Sequence, residues 1–469
     1  MRYHLLDDAK GAIPVVPLTA ATLPGWLEGQ EPATRAWVAA NAFAARPESR
    51  LALPDGKGGV GVVLYGFDPA GGPQGFAALP AGLPEGSYRI EARLDAATAS
   101  DIALGWGLAT YAFDRYKKLE RPKAKLVWPK GAQRDMVKRT LDGIFLVRDL
   151  INTPAEHMGP ADLADAAEAL AKKHKAKLKV TVGDELLKKN FPLIHAVGRA
   201  AAREPRLIDL TWGKGDLKVT LVGKGVCFDS GGLDLKSAEG MKLMKKDMGG
   251  AAHVLALAGL VPVRLRVLVP AVENAVSGNA FRPLDVIRSR QGLTVEIGNT
   301  DAEGRLILAD ALALAVEDKP DLLLDFATLT GAARIALGTE LPALFSNHDP
   351  TAELFLGAGK RLHDNLWRLP LWRPYRKLID SKVADLNNAG EGGYGGSITA
   401  ALFLQDFVPD QVPWAHLDLM AWNLAARPGR PVGGEAMGLR AAYAMIDALA
   451  GAKPARAAAG GKRRNAKGG

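Results

Sequence analysis

The hydrophobic pattern of the chain changes at about Pro160. Beyond it, short apolar runs that are typical of buried strands alternate with segments whose apolar residues recur at helical spacing. The predicted strands are Leu178–Val182, Leu207–Trp212, Leu217–Gly223, Leu265–Glu273, Leu293–Gly298, Leu322–Leu329 and Trp414–Met420. The predicted helices are Ala161–His174, Ala251–Leu260, Leu306–Val316 and Ser397–Phe407. This alternation indicates an α/β domain with a mixed central sheet flanked by helices, where ligands usually bind beyond the carboxyl ends of strands.

The first 130 residues have a less regular pattern. Val60–Tyr65 predicts a strand and Ala97–Lys118 a helix, and many Pro and Gly residues interrupt the apolar runs. A helix over Gln133–Ile151, ended by the breaker Pro154, is predicted to connect this region to the rest. We therefore expect a smaller N-terminal α/β domain at 1–130, a larger α/β domain at 131–452 that starts with the linker helix, and a disordered basic tail at 453–469.

The net charge of +9 on 469 residues belongs largely to that tail. Six cations without a compensating acid lie there: Lys453, Arg456, Lys462, Arg463, Arg464 and Lys467. The rest of the chain therefore carries a net charge of only +3. A basic tail can contact nucleic acid, but a solvated end is the interpretation that the composition favours.

The cysteine content and the N-terminal residues indicate the cellular compartment in which we expect the protein. The single cysteine, Cys227, excludes a disulfide framework and a Cys-rich zinc site. Asp7 and Asp8 stand where a signal peptide would have its apolar core. No run reaches the roughly 18 apolar residues of a membrane span, and Asp310 interrupts the best candidate, Leu306–Val316. These features predict a soluble cytoplasmic protein without a membrane partner.

Two glycine-rich acidic turns follow two of the predicted strands. The first turn, Val222–Gly250, contains Lys224, Asp229, Lys236 and Asp247, and the second, Asn299–Leu306, contains Asn299, Asp301, Glu303 and Arg305. Glycines allow the backbone to approach a ligand closely. Four carboxylates gathered at two strand ends would repel one another unless cations bind, and two divalent ions bridged by shared carboxylates would remove that repulsion. Oxygen ligands favour Mn²⁺, Mg²⁺ or Zn²⁺.

Simpler interpretations remain open for each residue alone. Asp301 and Glu303 are typical caps for the helix that follows them. Asp229 before Ser-Gly-Gly is typical of a turn, and Lys224 and Lys236 would ordinarily be solvated. The Walker phosphate-loop pattern is absent from the chain.

Several separated motifs resemble the leucyl (cytosol) aminopeptidase family of two-metal peptidases. They occur in the order INTPA at 151–155, Lys224–Lys236 with Asp247, NTDAEGRL at 299–306, DFATLTGA at 325–332, YGGSITAALFL at 394–404 and WAHLDL at 414–419. The resemblance extends from about Asp149 to the 440s and is weak over the first 130 residues. Because several motifs occur in the right order, the match is specific.

The resemblance implies a set of metal ligands. Lys224 and Asp247 would bind the tighter metal ion, and Asp301 the more exchangeable one. Asp229 and Glu303 would bridge the two ions. Zn²⁺ or Mn²⁺ is implied at both positions.

It also implies the catalytic and substrate-binding residues. Lys236 would stabilise the oxyanion, and Arg305 would hold a bicarbonate that transfers the proton of the attacking water. The residues at the family's substrate-binding positions are Met244, Asn299, Thr328, Leu329 and Gly331. The expected reaction is the metal-dependent release of N-terminal residues, leucine-like ones among them, from short peptides by a homohexamer. The alternative is a nucleic-acid-binding protein with a vestigial or secondary peptidase site.

Three residues of the first turn bear on this expectation. Asp234 and Ser237 depart from the family pattern beside Lys236, which puts substrate preference and metal affinity in question. Cys227 lies two residues before Asp229, and we expect it to be a buried small residue rather than a ligand.

Overall fold

The computed structural model describes residues 3–451. The strands are β1 Leu5–Leu6, β2 Ile13–Leu18, β3 Arg50–Pro54, β4 Val60–Gly66, β5 Ser87–Ile90, β6 Lys125–Val127, β7 Lys177–Val182, β8 Arg206–Trp212, β9 Lys218–Gly223, β10 Gly225–Asp229, β11 Arg264–Asn274, β12 Val286–Arg288, β13 Thr294–Glu296, β14 Leu322–Ala327, β15 Ala343–Ser346, β16 Trp367–Arg368, β17 Leu386–Asn387, β18 Trp414–Asp418, β19 Trp422–Asn423 and β20 Gly433–Gly434. The predicted basic tail at 453–469 lies outside the described residues.

The helices are distributed among these strands. They are α1 Leu23–Glu28, α2 Pro32–Ala40, α3 Gln74–Ala77, α4 Ala96–Leu108, α5 Arg134–Asn152, α6 Pro160–His174, α7 Glu185–Lys188, α8 Pro192–Gly198, α9 Ala238–Met241, α10 Gly249–Ala258, α11 Gly304–Glu317, α12 Gly331–Leu337, α13 Asp349–Arg361, α14 Gly396–Gln405 and α15 Leu439–Gly451. Short 3₁₀ helices lie at Pro69–Gly71, Pro80–Gly82, Ala155–His157, Met244–Met248 and Arg373–Ile379. Within residues 3–451, no helix combines the length and apolarity that a membrane crossing requires.

Two mixed sheets form the centres of two domains, as the predicted α/β class requires. The first has the order β1-β6-β5-β2-β4-β3, with only β3 antiparallel to its neighbour. The second has the order β16-β15-β18-β14-β9-β11-β8-β7, and β10 pairs in parallel with the C-terminal end of β11. Its strands β18, β14, β9 and β11 are mutually parallel. Their carboxyl ends therefore lie at one edge of the sheet.

Alternating side chains along these parallel strands form two apolar layers. In β9, Val219 and Leu221 belong to the apolar layer that includes residues of α5, α6 and α10, whereas Val222 belongs to the layer on the opposite face, with residues of α8, α11 and α14. In β14, Leu324 belongs to the first of these layers and Leu323 to the second. Strands buried on both faces read as continuous apolar runs, which is why the sequence predicted them.

The structure corrects some predicted elements. The helix predicted at Ala97–Lys118 ends at Leu108, and Tyr111 beyond it is hydrogen-bonded through its hydroxyl to Asp149 and Asn152 of α5. The strand predicted at Leu293–Gly298 is the short β13, which belongs to a separate sheet of β12, β13 and β17. The predicted linker helix is present as α5, and it packs against α4 of the first domain and α10 of the second.

Candidate active site

The carboxyl edge of the parallel strands brings the two acidic turns together. Lys224 follows β9, Asp229 ends β10, and Thr328 follows β14. Asp247 lies in the 3₁₀ helix Met244–Met248 that precedes α10. The turn that precedes α11 adds Asp301 and Glu303 beside these strand ends.

Two lysines hold this cluster together. The side-chain nitrogen of Lys224 lies 2.8 Å from Oδ2 of Asp247 and 2.9 Å from Oε1 of Glu303. The side-chain nitrogen of Lys236 lies 2.8 Å from Oδ2 of Asp229 and also contacts Asp301. The side chains of Lys224 and Lys236 are 3 % and 14 % exposed, so neither is the solvated surface lysine of the simpler interpretation.

Three carboxylates of the cluster could share a cation. Asp229, Asp301 and Glu303 each offer an oxygen, and these oxygens all lie within 4.8 Å of one another. Glu303 stands at the N-cap of α11, yet its side chain makes no capping hydrogen bond. Its carboxylate contacts Lys224 instead, so Glu303 does not have the helix-capping role that the sequence analysis kept as an alternative.

Burial and mutual repulsion perturb these acids. Burial, followed by repulsion from Asp229, raises the pKa of Glu303 to about 8 and that of Asp301 to about 6. Burial alone would lower the pKa of Lys224, but the surrounding carboxylates, Asp247 first, raise it above its ordinary value. Burial likewise opposes the ionised form of Asp247, and Lys224 outweighs it to give a lowered pKa. The cluster thus carries more negative charge than its two lysines balance.

Neighbouring polar groups fix the orientation of the acids. Oδ1 of Asp229 accepts hydrogen bonds from the backbone N–H of Gly231 and from Nδ2 of Asn274, both at 2.9 Å. The hydroxyl of Thr328 donates to Oδ1 of Asp247 at 2.7 Å. Asn274 was missed by the sequence analysis, and its position as a polar residue at the end of the apolar strand β11 is the signal that marks it.

A cavity of about 380 Å³ opens on the cluster. It is lined by Lys224, Asp229, Lys236, Ser237, Gly240, Met244, Lys246, Asp247, Asp301, Thr328, Leu329, Gly331 and Arg334. Four of the five predicted substrate-binding residues are among them, namely Met244, Thr328, Leu329 and Gly331. The fifth, Asn299, lines a neighbouring cavity of about 200 Å³ with Arg305. Asp301 lines both cavities and so lies between them.

Arg305 is buried and forms no ion pair with the described part of the chain. Its side chain packs over the ring of Phe403 at 5.9 Å, and its Nε and Nη1 make no hydrogen bond within the described residues 3–451. Burial lowers its pKa to about 10. An uncompensated guanidinium beside a small cavity has the chemistry of an anion site.

The departures from the family pattern have local structural roles. Oδ2 of Asp234 accepts a hydrogen bond of 2.7 Å from the backbone N–H of Thr300, so it ties the two acidic turns together. The hydroxyl of Ser237 accepts from the backbone N–H of Gly240 at 3.2 Å and caps α9. Cys227 is fully buried in β10, as expected, and its sulfur faces the carbonyl of Gly225.

Two cations of the cavity escaped the sequence analysis. Lys246 is 1 % exposed, and burial lowers its pKa to about 8. Arg334 reaches the same cavity from α12. Three consecutive polar residues, Lys245 to Asp247, gave no indication of which side chain would point inward.

The mixed sheet carries at its carboxyl edge a buried lysine–carboxylate cluster whose oxygens could hold a cation, and comparison with known proteins assigns the chain to a class of metal-dependent peptidases. Residues 145–443 match the catalytic domain of the cytosol aminopeptidase family, and residues 13–129 match the M17 aminopeptidase N-terminal domain. The chain therefore belongs to the cytosol aminopeptidase family, as its motifs predicted.

Individual relatives support this membership. A probable cytosol aminopeptidase of Syntrophotalea carbinolica is 44% identical over 366 residues, which cover 73% of each chain. The crystal structure of cytosol aminopeptidase from Coxiella burnetii has a TM-score of 0.92 and 49% identity over 95% of this chain and 99% of its own. The bottromycin maturation enzyme BotP, solved in complex with Mn, has a TM-score of 0.84 and 34% identity over 94% of this chain and all of its own.

Proposed function

We propose that this peptidase is a two-metal aminopeptidase that releases N-terminal residues, leucine-like ones among them, from short peptides. The observation that carries the proposal is the set of three carboxylates, Asp229, Asp301 and Glu303, whose oxygens lie within 4.8 Å of one another. Their repulsion is not balanced by the two lysines, so the donor set fits divalent cations.

The ligands follow from the cluster. Lys224 and Asp247 would hold the tighter ion, and Asp301, whose side chain is 32 % exposed, the more exchangeable one. Asp229 and Glu303 would bridge the two. Oxygen donors with one amine fit Zn²⁺ or Mn²⁺, and BotP, a relative, has been solved with Mn. When bound, such ions polarise a carbonyl and lower the pKa of a bound water.

The remaining catalytic groups belong to the chain itself. Lys236 points into the cavity, where its ammonium would donate to the oxygen that becomes negative as the scissile carbonyl is attacked. Arg305 would hold a bicarbonate, which supplies a base when bound; the unpartnered guanidinium nitrogens support this role. Met244, Thr328, Leu329 and Gly331 would contact the first residue of the peptide or its backbone, with Asn299 beside the anion site.

Assembly and location are also part of the proposal. We expect a homohexamer, for which exposed apolar side chains such as Trp367, Trp372 and Val383 provide surface to cover. The names of the relatives as cytosol aminopeptidases support a cytoplasmic location. The mass of the particle in solution, measured by light scattering, tests the hexamer.

The activity is tested with leucine anilide, a Leu-Gly dipeptide and N-acetylated leucine anilide. The protein is first stripped with a chelator and then supplied with Mn²⁺ or Zn²⁺. Metal-dependent cleavage of the two free-amine substrates alone is expected. Cleavage of the acetylated substrate at an equal rate, or no cleavage of any substrate by folded, metal-loaded protein, would contradict the proposal.

A further inference from the structure

Lys246 is a buried cation of the cavity that has no ion-pair partner among residues 3–451. Its side chain is 1 % exposed and lines the cavity, and within residues 3–451 its ammonium makes no hydrogen bond or ion pair. Lys224 and Lys236 differ in this respect, because each contacts two carboxylates. Burying an ammonium without a partner is costly, so such a group is a strong attractor for an anion that enters the cavity.

The carboxylates nearest to Lys246 are already engaged. Asp247, its neighbour in the chain, contacts Lys224 and accepts the hydroxyl of Thr328. Asp418 accepts the backbone N–H groups of Leu329 and Thr330 and the hydroxyl of Thr330. Both carboxylates attract Lys246 from a distance, but within residues 3–451 neither forms an ion pair with it.

A second unpaired cation faces the same space. The guanidinium of Arg334 lines the cavity and, among the described residues, has no hydrogen bond or ion pair either. Its Nη2 passes 3.7 Å from the place where a Cβ on Gly331 would lie, and Gly331 also lines the cavity. Lys246 and Arg334 thus contribute positive charge on the side of the cavity that the proposed substrate-binding residues form.

We propose that Lys246, assisted by Arg334, makes this enzyme select peptides whose first residue is acidic, glutamate or aspartate, over the corresponding amides. The inference rests on the proposed aminopeptidase function and specifies its substrate class. The side-chain carboxylate of that first residue would supply the anion that the chain lacks at Lys246. Apolar contacts at Met244 and Leu329 remain available to other first residues, so leucine substrates are not excluded.

The experiment compares kcat/KM of the metal-loaded enzyme for Glu and Asp anilides with that for Gln and Asn anilides. Anilides have no C-terminal carboxylate, so only the side chain differs. We expect the acids to exceed their amides by about tenfold or more, the scale of a hydrogen bond to a charged group. Lys246→Met should bring the ratio close to one, Lys246→Arg should preserve a preference for the acid, and Arg334→Gln should lower the ratio partly. Lys242→Met, which removes an exposed lysine two residues before Met244, should leave it unchanged.

A second pair of substrates separates the two sources of a carboxylate. If Lys246→Met instead weakens Leu-Gly relative to Leu-Gly amide, the lysine recognises the peptide C-terminus and the proposal is wrong. Equal rates for Glu and Gln anilides in the unmodified enzyme would also overturn it, while leucine cleavage would leave the proposed function standing. Absence of cleavage of every free-amine substrate would refute both. If Lys246→Met does not fold, the proposal is tested by the ratio of kcat/KM for the acidic anilides to that for the amide anilides, measured in the unmodified enzyme and in Lys246→Arg.

Discussion

Lys236 donates from its side-chain nitrogen to Oδ2 of Asp229 across 2.8 Å, which joins the loop after β10 to the carboxylate that ends β10. The same ammonium contacts Asp301 of the second acidic turn. In the proposed site these carboxylates bind cations, and Lys236 is then free to act on the substrate. The lysine is therefore predicted to matter for the rate rather than for metal binding.

Replacement of Lys236 tests this role. Lys236→Ala should lower kcat by about 100-fold or more, the cost of removing one oxyanion donor, while the metal content per subunit stays near that of the unmodified protein. Steady-state kinetics and elemental analysis of the same samples measure the two quantities. Lys242→Ala, at an exposed site, is the control. A parallel loss of metal and activity would show that Lys236 maintains the metal site instead.

Asp301 should control the exchangeable ion. Its side chain is 32 % exposed, whereas that of Glu303 is 1 % exposed, so an ion bound through Asp301 has access to solvent. Asp301→Ala should retain about one ion per subunit after dialysis where the unmodified protein retains two. Glu239→Ala, an exposed acid on α9, should leave the stoichiometry at two. An unchanged stoichiometry in Asp301→Ala would contradict the assignment.

Gly304 leaves space for the side chain of Lys224 in the proposed metal site. A Cβ at this helical position would lie 2.4 Å from Cε and 2.6 Å from the side-chain nitrogen of Lys224. Because the flexible end of Lys224 would yield, Gly304→Ala should fold normally and yet lose most of its metal affinity and activity. Gly278→Ala, where a Cβ meets no atom within 4 Å, is the matched control. Thermal unfolding of the stripped proteins checks the fold, and full activity in Gly304→Ala would refute the prediction.

Arg305 should make the reaction depend on a small anion. In buffer freed of carbon dioxide, added bicarbonate should raise the rate of the unmodified enzyme, because Nε and Nη1 of the buried Arg305 have no hydrogen-bond partner within residues 3–451. Arg305→Met should be slower by about 100-fold, on the scale of a lost general base, and should not respond to bicarbonate. If bicarbonate raised the rate of both proteins equally, it would act at a site other than Arg305, and the prediction would be wrong.

A buried pair outside the active site gives the stability a predictable pH dependence. Nδ1 of His416 lies 2.5 Å from Oδ1 of Asp325. Burial opposes the charged imidazole, but Asp325 outweighs it and raises the pKa of His416 above its ordinary value of 6.5. The pair thus stabilises the fold fully below pH 6.5, and this contribution declines as the pH rises through the raised pKa.

Asp325→Asn tests that relationship by urea unfolding. The variant should lose about 3 kcal/mol of unfolding free energy at pH 6, the scale for a broken buried pair. The difference from the unmodified protein should shrink toward pH 9. Metal-free samples of both proteins are compared, so that other titrating groups cancel. A difference that is independent of pH would contradict the raised pKa.

The sequence predicted the principal elements of the larger domain because its strands are buried on both faces and its helices have clear periodicity. It did not predict β10, since Gly225–Asp229 lies in a glycine-rich stretch that looks like a turn. Its strand character comes from pairing with β11, whose partner residues follow about 45 positions later. Likewise, the sequence pattern did not show that α4 ends at Leu108 and that Tyr111 beyond it contacts α5.

For the site, the sequence by itself predicted which residues would carry the chemistry, and their catalytic and metal-binding roles stay predictions. Lysines and carboxylates in short glycine-rich turns at strand ends form a local pattern, and their family motifs are local as well. Tertiary structure decided how those residues contact one another. It placed Lys224 against Glu303 and left Lys246 without an ion pair among residues 3–451, because the order of the strands sets the distance between segments far apart in the chain. The charge balance of a cavity depends on all the residues that line it, and these residues come from several segments, so no single segment of the sequence predicts it.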